Sequence, residues 1–151
     1  MVRDSCDARK EEGRKAEIMN SPKEVVLAYV EAFNRGDLDG LCSLFTDDAC
    51  IWGVLGWGAV EQARPVWHDL MTCLELHLKV ESIISEGDCV AVRYTETGRS
   101  VQPFRGQGPT GNSYELLAME WFEVRDGRIW RRWGARDSAA QNRQLGFGNP
   151  S

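Results

Sequence analysis

"SYELLAMEWFEVRDGRIWRRWGARD", residues 113 to 137, holds two alternating runs joined by Asp126-Gly127, a dipeptide that closes tight hairpins. Side chains on a strand alternate between two faces. On the first run Leu116, Ala118, Glu120, Phe122 and Val124 therefore share one face, and Leu117, Met119, Trp121 and Glu123 the other. Both faces are largely apolar. One should meet helices and the other a second subunit. Glu120 is then a glutamate among apolar neighbours, so it is paired, locally hydrated or held with a raised pKa. On the second run the same period groups Ile129, Arg131, Trp133, Ala135 and Asp137. A carboxylate that shares a face with an indole has either reached solvent at the strand's end or entered a lined pocket.

Outward from this hairpin, the preceding residues read as more strands. "ELHLKVESIISEG" and "DCVAVRYTETGRS" alternate around a turn at Glu86-Gly87-Asp88, and "DDACIWGV" gives a short first strand. Helices come earlier. Ser21-Pro22-Lys23-Glu24 is a capping box with proline at the first helical position. The helix that follows carries Val25, Ala28, Tyr29, Ala32 and Phe33 on one stripe and stops at Gly36. "LDGLCSLF" forms a second helix, and "AVEQARPVWHDLMTCL" a third, interrupted or begun by Pro65. Residues 1–20 mix charges without apolar period and read as a flexible tail; residues 21–151 read as a single domain. The expected class is α+β, with helices on one face of a curved antiparallel sheet.

Composition narrows the function. A net charge of −5 disfavours nucleic acid, which rewards clustered Lys and Arg. No run approaches the roughly 18 apolar residues of a membrane span. The first twenty residues lack a signal-peptide core, so the expected location is cytoplasmic. Five cysteines without C-x-x-C spacing read as reduced, mostly buried thiols. His68 and His77 form no H-x-x-x-H pair, and no metal site is expected. No G-x-S-x-G motif supports nucleophilic catalysis. "GQGPTG", Gly106 to Gly111, matches a dinucleotide fingerprint in letters alone: it contains a proline and precedes a strand, so it reads as a hairpin loop.

Four stretches, "YVEAFNRGDLDGLCSLFTDDA", "EGDCVAVRYTETG", "PTGNSYELLAMEWFEVRDGRI" and the final Trp133 with Asp137 four residues on, carry a resemblance from Ser21 to Asp137. Taken together, the chain resembles the SnoaL-like polyketide cyclases of the nuclear-transport-factor-like superfamily. The resemblance implies a cone: a bent sheet wrapped around helices, an internal apolar pocket and a homodimer formed through the sheet. It implies that Asp137 is the acid/base of an aldol closure. The chain is also similar to the steroid isomerases of the same superfamily, which implies an oxyanion-hole role for Tyr29 and for a protonated Glu120. Their proton-abstracting carboxylate would fall near Gly53, where none stands. A likeness to cone-shaped epoxide hydrolases implies water activation by Asp137 with Arg93 and Glu120.

The expected function is cofactor-free acid/base chemistry, of the isomerase, cyclase or lyase kind, on a hydrophobic carbonyl or cyclic small molecule. Asp137, Tyr29 and Glu120 would be catalytic. Trp52, Trp133, Tyr94, His68 and Arg93 would contact substrate. The alternatives are a binding or dimerisation module without chemistry, and epoxide hydrolysis.

Overall fold

The computed structural model describes residues 21–54 and 56–148; the expected tail, residues 1–20, lies outside them. Helix α1, Pro22–Asn34, starts where the Ser21 hydroxyl accepts from Glu24 N–H at 3.3 Å. Its buried stripe runs through Val26, Tyr29, Val30 and Phe33 and packs on four strands of the sheet. The helix stops at Gly36, whose φ of 72° is the left-handed conformation that glycine adopts without strain. Asp37 then caps the short α2, Leu38–Ser43, by accepting from Gly40 N–H at 2.9 Å. Helix α3 spans Val60–Cys73 and continues through Pro65.

Among the described residues six strands form one sheet, β1 Phe45–Gly53, β2 Gly56–Gly58, β3 His77–Glu86, β4 Cys89–Arg99, β5 Ser113–Arg125 and β6 Arg128–Arg136. Their order is β2-β1-β6-β5-β4-β3. The class is α+β, as the sequence implies. One pairing departs from expectation: β1 runs parallel to β6. No hairpin has to join those two, because most of the domain lies between them and serves as the crossover.

Strand β5 alternates without a fault, with Tyr114, Leu116, Ala118, Glu120, Phe122 and Val124 all buried. Strand β6 does not. Val124 pairs with Ile129 but Glu123 pairs with Arg131, so Trp130 is one extra residue inserted opposite a single step of β5. Arg131 stands over the Trp130 ring at 4.2 Å and Arg125 at 5.0 Å. Beyond this bulge the two faces exchange: Arg132 turns inward, and Trp133 is exposed on the outside.

After β6 the chain forms α4, Ser138–Leu145, capped by Asp137 and ended by Gly146 at φ 75°. Gln144 ties it to β5, accepting from Glu115 N–H at 2.8 Å and donating to Glu115 C=O at 3.2 Å. The C-terminal segment thus folds back over the sheet. "GQGPTG" lies in the β4–β5 connection, where positive φ at Gly106, Gly108 and Gly111 accounts for its glycines.

Candidate active site

Between α1, α3, α4 and the inner face of the sheet lies a cavity of about 440 Å³. Its apolar wall includes Phe33, Ile51, Trp67, Leu70 and Leu78. The buried charged groups on its wall, Glu120, Arg132 and Arg136, come from the two strands of the quoted hairpin. Glu120, from the centre of β5, forms a buried ion pair with Arg132 of β6, through Oε2 and Nη1. The Tyr29 hydroxyl donates to the same Oε2 at 3.3 Å. The other carboxylate oxygen, Oε1, has no hydrogen-bond partner among the described residues, nor have Arg132 Nε and the Tyr94 hydroxyl. Such unpartnered polar atoms are costly in a core.

The second buried pair lies two pleat repeats further along β6. Arg136 donates to Glu96 Oε1 from Nε and approaches it with Nη2, each at 2.7 Å. The Tyr114 hydroxyl donates to Glu96 Oε2 at 2.9 Å. Burial pushes the Glu96 carboxyl up, against the pull of Arg136 and Tyr114. Gly134 lies between the two arginines. A Cβ at that position would stand 2.6 Å from Arg132 Nη1 and 3.3 Å from Glu120 Oε2.

The residues expected from sequence divide sharply. Tyr29 and Glu120 meet on the cavity wall. Tyr94 is buried beside them but does not line the space. Asp137 corrects the expectation most. It is exposed, caps α4 by accepting from Ala140 N–H at 2.9 Å, and is absent from the wall. The bulge is the physical reason, since it reverses the parity on which the reading of β6 depended. The same reversal puts Trp133 outside, stacked on Trp52 at 4.8 Å and 5°, so neither lines the cavity. Arg93 points outward from β4, and His68 is exposed beside Asp69, its neighbour Trp67 being the inward residue of α3. Arg132, Arg136, Glu96 and the polar face of α4 were missed. Strand parity from Val92 would have found Glu96, which follows Tyr94 on the same face. Asp137 and Gly146 are legible cap signals for α4.

Among the described residues no cluster of three or more His, Cys, Asp or Glu side chains converges as a metal would need. No helix among them is long and apolar enough to cross a membrane.

The Glu120–Arg132 pair makes a stability prediction. Arg132→Met would leave the carboxylate buried without its cation, which costs about 3–5 kcal/mol. Urea unfolding measures it; a loss below about 1 kcal/mol would mean that the pair behaves as a solvated one.

Comparison with known proteins agrees with this architecture. Among solved structures, IdmH from Streptomyces antibioticus, described as a candidate polyketide cyclase, is 30% identical, with 84% of this chain and 99% of that chain aligned and a TM-score of 0.73. AclR from Streptomyces galilaeus, described as a candidate hydroxylase, is 26% identical over 83% of this chain and 95% of that one, with a TM-score of 0.75. A protein from Catenulispora acidiphila with a ketosteroid isomerase-like fold is 17% identical over 84% and 98%, with a TM-score of 0.71, a likeness of fold alone. No curated protein matches the chain. The family model for the SnoaL-like domain matches residues 26–132, which include the helix of Tyr29, the strand of Glu120 and Arg132 itself. On that match the chain belongs to the SnoaL-like domain family.

Proposed function

We propose that this protein is a cofactor-independent enzyme that moves protons on a hydrophobic carbonyl compound, as a cyclase or isomerase does. The observation that carries the reading is Glu120 on the wall of an apolar cavity, its Oε2 held by Arg132 and Tyr29 and its Oε1 without a hydrogen-bond partner among the described residues. Glu120 replaces Asp137 in the acid/base role. Its Oε1 takes a proton from a carbon next to a carbonyl, and the C–H electron pair moves onto the carbonyl oxygen as an enolate. Arg132, whose Nη2 is not engaged by Glu120, stabilises that charge, while Tyr29 holds the carboxylate through Oε2. Arg132 Nη2 lies 3.6 Å from where a Gly53 side chain would begin, so a cation reaches the position at which steroid isomerases carry their base. In a closure step the enolate carbon attacks a second carbonyl of the same molecule, a C–C bond forms, and Glu120 returns its proton to the new alkoxide. Carboxylate and substrate proton count are then restored.

Exchange of the C1 protons of 2-tetralone in deuterated water, followed by NMR, tests this. Acceleration over the buffer rate is expected. No acceleration would favour the rival, a module that binds or dimerises without chemistry. Hydrolysis of an epoxide without exchange would move the reading to water activation.

The outer face of the sheet supports association with a second copy. Leu117, Met119, Trp121 and Trp133 are 53%, 49%, 45% and 36% exposed on adjacent strands, a contiguous apolar patch of the kind that marks interfaces. Light scattering should give a dimer for the wild type and a monomer for Trp121→Glu. A wild type that is monomeric at micromolar concentration would remove the dimer.

A further inference from the structure

We propose that Arg136 is an anchoring site for an acidic group, so that the ligand is an apolar carbonyl compound that also carries a carboxylate. The inference rests on the reading of the cavity as a ligand site. The two buried pairs differ in what they leave over. Around Glu120 an acceptor oxygen lacks a partner; around Glu96 both oxygens are used, Oε1 by Arg136 and Oε2 by Tyr114. A saturated glutamate has no proton chemistry to offer. What it does is hold one edge of a guanidinium, Nε and Nη2, and leave the Nη1 amino group outside the pairing on a residue that lines the cavity. Buried ion pairs seldom outperform apolar packing in stability, so a second one in this core asks for a use.

Charge on the wall points the same way. Arg105, Arg132 and Arg136 line the cavity, while Glu120 is the one acidic side chain among its described lining residues. With Glu96 behind the wall the two buried pairs cancel, and Arg105 remains in excess. It stands over the Phe104 ring at 5.6 Å. The interior itself is charge-balanced, and Arg105, an exposed residue on the cavity's lining, adds one positive charge. Around Arg136 the wall carries neutral hydrogen-bonding groups, Ser138, Gln141 and Asn142 of α4. A guanidinium edge and amide donors suit a carboxylate, whose planar oxygens the fork of arginine matches. Arg132 and Arg136 are four residues apart on one strand, about 13 Å between Cα atoms. The acid is therefore held by a different residue from the one beside the reacting carbonyl, and both lie on the wall of one cavity.

Calorimetric titration with 2-naphthoate and its uncharged partner 2-naphthamide tests the assignment. The wild type should bind the acid at least tenfold tighter than the amide. Arg136→Gln should abolish the preference, so that acid and amide bind the variant with equal affinity within twofold. Because that variant strands Glu96, the double change Glu96→Gln/Arg136→Gln, which buries no charge, is measured beside it with the same expectation. Equal affinity of the wild type for both probes, or a preference that survives in a folded variant, overturns the anchoring site alone. Binding of neither probe overturns the cavity reading with it.

Discussion

Glu120→Gln is expected to slow proton exchange on 2-tetralone by roughly 10²–10⁴-fold, the usual contribution of a positioned general base. An amide oxygen still accepts from Tyr29 and Arg132 where Oε2 does now, so the local hydrogen bonds survive. It has almost no basicity, and the proton transfer fails. The change also leaves Arg132 without a counter-charge, at a side-chain exposure of 7%. Circular dichroism must therefore accompany the kinetics. Glu120→Asp supplies the control: it keeps the charge and withdraws it by one methylene, so it should fold and still lose rate by misplacement. Exchange at the wild-type rate in folded Glu120→Gln would remove Glu120 from the chemistry.

The alkaline limit of stability should be set by tyrosine. The chain has three tyrosines, and Tyr29, Tyr94 and Tyr114 are all buried, at 1%, 1% and 3% exposure. Burial raises each phenol above its ordinary value of 10.0, with Glu120 adding to the first two and Glu96 to the third. The folded state thus holds protons that the unfolded state releases. Stability is full below pH 10.0 and falls as the pH rises beyond it, since only the unfolded chain gains by ionising. Three groups together remove about 4 kcal/mol per pH unit, against a total of about 5–15 kcal/mol for an ordinary domain. Tyrosinate absorbance should accordingly stay flat through the ordinary range and then appear together with loss of secondary structure. A smooth titration near pH 10 in a folded protein would contradict the burial of these hydroxyls.

Much of this was legible in residues 113–124. Their alternation has no exception, and it puts Glu120 inside, where the structure has it. The stripe of α1 likewise delivers Tyr29. The next strand misleads because one unpaired residue, Trp130, breaks the period, and nothing local distinguishes a bulge from another step. Every inference built past that residue then lands on the wrong face: Asp137 and Trp133 move out, Arg132 and Arg136 move in. Charge reinforces the error, since an arginine mid-strand reads as surface until its glutamate on the neighbouring strand is known. Glu96 and Glu120 supply those partners only once register is fixed, which is a property of the whole sheet. The closing helix α4 depended on tertiary contact to be assigned to the cavity at all.

Gly134 has a bearing on how such a site can change over generations. The one hydrogen atom it presents to Arg132 and Glu120 is the full allowance of space there, so even alanine, the mildest replacement, shoulders the guanidinium aside. A change at that codon would therefore act first on the placement of the Arg132 guanidinium against Glu120. A single base change is enough to reset the geometry of that pair.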